Sequence, residues 1–369
     1  MKECFRAPKL PSGTTDDCLE ARDPPRGDPD TLRCLQPLRV RGRAMAEQGG
    51  EDATTTVAII GSGLIGRSWA MLFAAAGFPV RLYDSLPGVV EKALQAIREN
   101  LNSLAASGSL RGPLPVDSQL SLIQAVTDLS EAVSGVDYVQ ECIPEDVSMK
   151  EELYRQLDPL LGPGTVLASS TSCLLPSALF AERRYPANCL VCHPVNPPYF
   201  VRLVELVPHA GTSAAALSRA HALMTRLGQA PVTLRREIPG FALNRVQYAI
   251  IAEAWRLVRD GVMSPEDVDL VMTEGLGPRY AFVGPLETMH LNAEGFKSYC
   301  ERYQGGMTSI MSAFGPLPNF AGEALDTIDQ AMSARTPANQ EALSARRKWR
   351  DERLTELAKM KSAQHADKS

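Results

Sequence analysis

From Thr56 onward, short runs of branched aliphatic residues alternate with stretches whose apolar positions recur at helical spacing. Val57–Ala58–Ile59–Ile60 and Val80–Arg81–Leu82–Tyr83 predict strands, and residues 64–76 between them predict a helix. Further strands are expected at Tyr138–Val139–Gln140, Val166–Leu167–Ala168, Leu190–Val191–Cys192 and 203–207. Short β-rich runs alternating with helical stretches belong to a mostly parallel sheet covered on both faces, the Rossmann-type α/β arrangement. Beyond Pro239–Gly240 the pattern becomes helical, with one long helix over about 241–259 stopping at Gly261. Ser264–Pro265–Glu266–Asp267 then reads as a helix start, with serine as cap, proline at the first position and acids against the helix dipole.

These patterns divide the chain into an α/β domain over 53–238, a smaller all-α domain over 239–335 and a charged C-terminal helix and tail over 336–369. The charges of that tail, Arg346, Arg347, Lys348 and Arg350, read as a solvated face. Residues 1–52, with six prolines, three cysteines and no period of either kind, are expected to be a disordered extension. Asp16, Asp17, Glu20, Asp23, Asp28 and Asp30 make that segment too acidic for a transit peptide. Met45 is the expected start of a shorter form.

Composition narrows the function classes. At 369 residues and 44% hydrophobic, the chain can bury a full core. Its formal net charge of −5 repels a phosphate backbone, which argues against nucleic acid as a partner. No apolar run reaches the roughly 18 residues a membrane span needs. The eight cysteines are irregularly spaced, fit no zinc site and read as reduced thiols, so no metal and a cytoplasmic location are expected.

Gly61–Ser62–Gly63–Leu64–Ile65–Gly66 follows a predicted strand and opens a predicted helix, and Asp84 ends the next strand 18 residues after Gly66. That context turns a common glycine hexamer into a dinucleotide fingerprint. Gly61 makes the tight turn, Gly63 admits the pyrophosphate, and Gly66 lets helix pack on strand. The N–H groups of Leu64 and Ile65 are the expected donors to the pyrophosphate. Asp84 is placed to accept from the adenosine ribose and repels the extra phosphate of NADP, so NAD is the expected cofactor.

An enzyme that removes hydride from an alcohol must also remove the hydroxyl proton, and histidine is the usual agent. Of five histidines, His193 ends an apolar strand and leads into Asn196 and three prolines. Glu205, a lone acid among branched aliphatics in Leu203–Val204–Glu205–Leu206–Val207, requires a partner.

Ser170–Thr171–Ser172, His193–Pro194–Val195–Asn196–Pro197, Leu203–Val204–Glu205 and Gly240–Phe241–Ala242–Leu243–Asn244–Arg245 resemble the 3-hydroxyacyl-CoA dehydrogenase superfamily over about residues 56–330. Gly66–Arg67–Ser68–Trp69–Ala70–Met71–Leu72–Phe73 and the run from Gly284 to Gly295 are similar to the branch that oxidises L-gulonate at its 3-hydroxyl. The resemblance implies that His193 is the general base, oriented by Glu205, and that Ser172 and Asn244 hydrogen-bond the reacting oxygen in a cleft between the domains. It implies that Glu145 and Lys150 contact the cofactor, although a Glu and Lys five apart also read as a solvated pair. It further implies a homodimer through the helical domain. Asn196 and Arg279 are the candidate contacts for a small anionic substrate, and a structural arginine is an equal reading of Arg279.

In the acyl-CoA members an acidic residue commonly follows the Gly-Pro segment a few positions on, where this chain has Met289–His290–Leu291–Asn292. Two alternatives stay open: oxidation of a 3-hydroxyacyl-CoA or another small 3-hydroxy acid, and a protein accumulated for refractive and solubility reasons that keeps an inherited site.

Overall fold

The computed structural model describes residues 55–366, and the extension read as disordered lies outside the described residues. Eight strands form one sheet in the order β3-β2-β1-β4-β5-β6-β7-β8. They are β1 (Val57–Ile60), β2 (Val80–Tyr83), β3 (Ile123–Val126), β4 (Tyr138–Glu141), β5 (Val166–Ser169), β6 (Cys189–Pro194), β7 (Leu203–Val207) and β8 (Ala230–Thr233). Every pairing is parallel except β6 with β7, which run antiparallel with His193 opposite Glu205.

The first half of the chain threads helices α1 (Leu64–Ala75), α2 (Val89–Ala106), α3 (Val116–Ser121), α4 (Leu129–Val133), α5 (Val147–Leu157), α6 (Pro176–Phe180) and α7 (Ala214–Arg226) between these strands. Side chains on a strand alternate between faces, and the core divides accordingly. Val57 and Ile59 of β1 point into a cluster with Trp69 and Phe73 of α1, Ile97 and Leu101 of α2 and Met224 of α7. Their neighbours Ala58 and Ile60 join Tyr154 and Leu157 of α5 and Phe180 of α6 on the other face. All four positions of β1 are therefore buried, which is why the strand reads as an unbroken apolar run.

Two strands escape the sequence pattern because neither is a buried run. β3 is an edge strand with only Ile123 and Val126 buried. β8, the other edge, is mostly exposed and carries Pro231, whose missing N–H is tolerated there.

The second half is helical, with α8 (Leu243–Arg259), α9 (Pro265–Leu270), α10 (Gly277–Tyr280), α11 (Pro285–Leu291), α12 (Phe296–Ser312), α13 (Glu323–Arg335) and α14 (Gln340–Ala366). A π-helical turn, Val271–Leu276, joins α9 to α10. α9 begins as the sequence predicts, with Ser264 Oγ accepting from Asp267 N at 3.1 Å. α8 starts two residues later than the pattern suggests. Gly240 and Phe241 both take positive φ, 76° and 49°, so the chain turns before it coils. For an aromatic residue that conformation is costly and persists only where its surroundings hold it. The Phe241 side chain is fully buried, and its ring lies 5.7 Å from the imidazole of His193.

Candidate active site

The fingerprint glycines do what their positions ask. Gly61, at φ 99°, lies so close to Cys142 that a Cβ would sit 2.8 Å from that residue's carbonyl group. A Cβ on Gly66 would come within 1.8 Å of the Gly61 carbonyl oxygen, so only glycine lets α1 approach β1. Gly63 faces open space, the cradle that a side chain would fill. Among the described residues no side chain caps α1 at Gly63, which leaves its first N–H groups, Leu64 and Ile65 included, for an anion.

A cavity of about 670 Å³ opens above this turn, lined by Gly61, Gly63, Leu64, Asp84, Leu86 and Ile143, a size suited to a nucleotide half. Asp84 Oδ2 accepts from Ser62 N (2.9 Å) and Ser62 Oγ (2.8 Å), while Oδ1 takes only a long bond from Leu86 N (3.2 Å). The carboxylate is thus fixed by the glycine loop and keeps acceptor capacity toward the cavity. Free helical amides, a glycine cradle and an aspartate at the end of β2 fit NAD.

At the far end of β6, His193 Nδ1 lies 2.8 Å from Glu205 Oε2, and both side chains are buried. The carboxylate can only accept, so Nδ1 carries the proton and Nε2 presents its lone pair. Glu205 Oε1 in turn accepts from Ala242 N (2.8 Å) and Leu243 N (2.9 Å), the first amides of α8. Burial pushes the Glu205 carboxyl up, but the His193 hydrogen bond and the Leu243 and Ala242 amides outweigh it and hold the group below its ordinary value of 4.5. The partner that a lone acid requires is therefore double: an imidazole on one oxygen and a helix N-terminus on the other. The turn at Phe241 aims those amides, a role that no pattern of residue types reveals.

Ser172 lies exposed beyond β5, and Asn244, in the first turn of α8, donates from Nδ2 to the Ser172 carbonyl at 2.8 Å. Glu145 Oε1 accepts from Ser172 N (2.7 Å), Ser172 Oγ (3.2 Å) and Thr171 Oγ1 (2.6 Å). Lys150 differs from the solvated reading. It sits in α5 with its side chain 1% exposed, its Nζ 2.7 Å from Glu141 Oε1 and 3.6 Å from Glu145 Oε2. Burial raises the Glu145 carboxyl, yet the Thr171 hydrogen bond, the Lys150 charge and the Ser172 amide together bring it below its ordinary range. Glu145, Lys150, Ser172 and Asn244 therefore form one bonded chain. Asn196 is exposed in the turn after β6. Arg279 is exposed on α10 and, among the described residues, its side chain shares no hydrogen bond or ion pair with the others. Sequence reasoning missed Glu141, Phe241 and the amides of Ala242 and Leu243.

A glycine turn for a dinucleotide, joined to a His–Glu pair at the mouth of the same sheet, defines an NAD-dependent dehydrogenase of hydroxy acids. The sequence profile of the 3-hydroxyacyl-CoA dehydrogenase NAD binding domain matches residues 56–238, and that of the C-terminal domain matches 240–313. The chain belongs to the 3-hydroxyacyl-CoA dehydrogenase family, with NAD as cofactor. Lambda-crystallin of Oryctolagus cuniculus is 56% identical over 309 residues, covering 84% of this chain and 97% of that protein. L-carnitine dehydrogenase of Nocardiopsis dassonvillei is 35% identical over 265 residues, covering 72% and 76%. Among solved structures, the NAD+-dependent dismutase 5-formyl-3-hydroxy-2-methylpyridine 4-carboxylic acid 5-dehydrogenase matches with a TM-score of 0.70 at 28% identity, covering 83% of this chain and 97% of that one.

Proposed function

We propose that the chain oxidises the 3-hydroxyl of L-gulonate to 3-dehydro-L-gulonate, yielding NADH and a proton. The observation that carries the chemistry is the 2.8 Å His193–Glu205 pair, and the substrate follows from the strings shared with the L-gulonate branch. Bound NAD would supply the acceptor for the hydride that leaves the carbinol carbon. His193 Nε2 takes the hydroxyl proton, a transfer worth about 10²- to 10⁴-fold in rate. Glu205 fixes the tautomer beforehand and stabilises the imidazolium that forms. Ser172 and Asn244 hydrogen-bond the oxygen as its charge develops. Gly61, Gly63, Gly66, Leu64, Ile65 and Asp84 hold the dinucleotide, with Glu145 and Lys150 at its reacting end. Asn196 and Arg279 are assigned to the substrate, Arg279 to its carboxylate.

The reading includes a cytoplasmic homodimer. No helix among the described residues is long and apolar enough to cross a membrane. α8 exposes Val246 (62%) and Ile250 (37%) on one side, and Leu286, Leu291, Ile310 and Met311 of the later helices are each more than 60% exposed. Apolar surface of that extent supports a second copy as its cover.

The deciding experiment follows NADH absorbance with L-gulonate, 3-hydroxybutyrate, L-carnitine and a 3-hydroxyacyl-CoA offered side by side. The highest kcat/KM is expected with L-gulonate. Faster turnover of another member of the panel transfers the site to that substrate, and no turnover of any favours a protein accumulated for its bulk properties.

A further inference from the structure

Glu141, the last residue of β4, is fully buried, and both its oxygens are saturated. Oε1 accepts from Lys150 Nζ (2.7 Å) and Ile143 N (2.7 Å), and Oε2 from Tyr154 OH (2.7 Å) and Ser169 Oγ (2.6 Å). Two routes lead from it to Ser172. Along one, Lys150 is shared with Glu145, whose Oε1 holds the amide and hydroxyl of Ser172. Along the other, Ser169 Oγ accepts from Thr171 N at 3.2 Å while Thr171 Oγ1 donates to Glu145. Both routes begin on one carboxylate and end on the same loop, between β5 and α6.

We infer that Glu141 is a positioning residue, whose buried charge fixes the Lys150 ammonium and thereby sets Glu145 and Ser172 for the reaction proposed above. The chemistry of the donors explains why a carboxylate is required there. The Lys150 ammonium and the Ile143 amide can only donate, so an amide side chain at 141 must turn its oxygen to them and its NH₂ to Tyr154 and Ser169. Those two hydroxyls must then reverse. The ammonium still donates to that amide oxygen and to the Ile143 carbonyl 3.3 Å away, but in a dry site its one remaining opposite charge is Glu145, and it is drawn toward it. That movement pulls Glu145 off the Ser172 loop. Glu141 touches neither reacting oxygen nor cofactor in this scheme, and its whole effect passes through its neighbours.

The inference rests on the reading of Ser172 as a contact of the reacting oxygen, and a double-mutant cycle tests it. Glu141→Gln is expected to lower kcat about 10²-fold, the scale set by misplacing a group by an ångström, with a smaller rise in KM for the hydroxy acid. Combined with Ser172→Ala, it should lower kcat no further than Ser172→Ala alone, because coupled residues do not add. A merely structural role predicts additive losses, and that result overturns the proposal. Tyr154→Phe removes one bond to Oε2 without touching the charge; should Glu141→Gln fail to fold, this variant must show a weaker fall with the same non-additivity. If the wild type turns over no hydroxy acid, the dehydrogenase reading fails by itself. The positioning role is then read from a crystal structure of Glu141→Gln with NAD. Contacts of Glu145 to Ser172 kept within 0.3 Å of wild type sink it, and a displaced loop upholds it.

Discussion

The sheet half and the helical half of the molecule spend their hydrophobic residues differently. In the first, both faces of the sheet are closed by helices, and residues such as Trp69, Phe73, Tyr154 and Phe180 are fully buried. In the second, past Phe241, Ala252 and Val268 are the only buried hydrophobic side chains other than proline among the described residues, while Leu286, Leu291, Ile310, Met311 and Leu317 are 63–78% exposed. One half completes its own core. The other has apolar area that the described residues do not cover, and what it bonds to the sheet half's site residues is its first turn, through the amides of Ala242 and Leu243 and the side chain of Asn244. The site is thus built on a self-sufficient scaffold and finished by an element whose stability is expected to depend on a second copy.

The sharpest way to break this contrast is to charge the uncovered face. Val246→Asp with Ile250→Asp removes four side chains from a symmetric interface, at about 1.5–2 kcal/mol each, so the dimer dissociation constant should rise by roughly 10⁴-fold or more. Sedimentation velocity checks this. NAD affinity, which belongs to the sheet half, should stay within about twofold. A wild-type protein that is monomeric at micromolar concentration refutes the proposed cover.

His193→Gln tests the scaffold's own contribution. It should lower kcat by about 10²- to 10⁴-fold while NAD still binds, as measured by quenching of tryptophan fluorescence. Retention of most of the activity would make His193 a structural strand end.

The contrast also decides how much could be read from sequence. β1, β5 and β6 were legible because their apolar runs state burial directly, whereas the edge strands β3 and β8 bury too little to leave a run. His193 and Glu205 were legible together because an acid among aliphatics demands a partner. The same rule applies to Glu141, but that residue ends its strand, where an acid also passes for a solvated terminus. The solvated reading of Lys150 and Glu145 fails for a related reason. Spacing of five describes neighbours along the chain, while the nearer of Lys150's two carboxylates reaches it from β4 across the fold. The turn at Phe241 left no trace, since positive φ at an aromatic residue is imposed by packing rather than by residue type.

Glu205 joins the two halves, and its protonation should sharpen the comparison. Its carboxyl is held below 4.5, so the stability it confers is present above that value and is lost as pH falls through the lower folded-state one. Glu205→Gln removes a charged acceptor from His193 and from the start of α8, a loss of about 2 kcal/mol at neutral pH. Thermal unfolding from pH 7 down to pH 3 should show the gap between wild type and variant closing below about pH 4.5. A constant gap across that range would mean that Glu205 acts by shape alone.

The smallest effect is expected from the helical half's other contribution, Arg279. It is exposed, and an exposed cation facing a carboxylate is worth only about 0.2–1 kcal/mol, because water screens the pair and the long side chain loses freedom on binding. Arg279→Ala should therefore raise KM for L-gulonate by at most about fivefold, with kcat unchanged, since the contact is made equally in ground and transition states. Steady-state kinetics at 50 mM and 500 mM salt separate this from packing. The wild-type KM should climb toward the variant's as screening increases, while the variant's stays flat. A KM that is identical in the two proteins at low salt removes Arg279 from the substrate, and leaves the helical half with no charge in the site beyond what its first turn lends to Glu205.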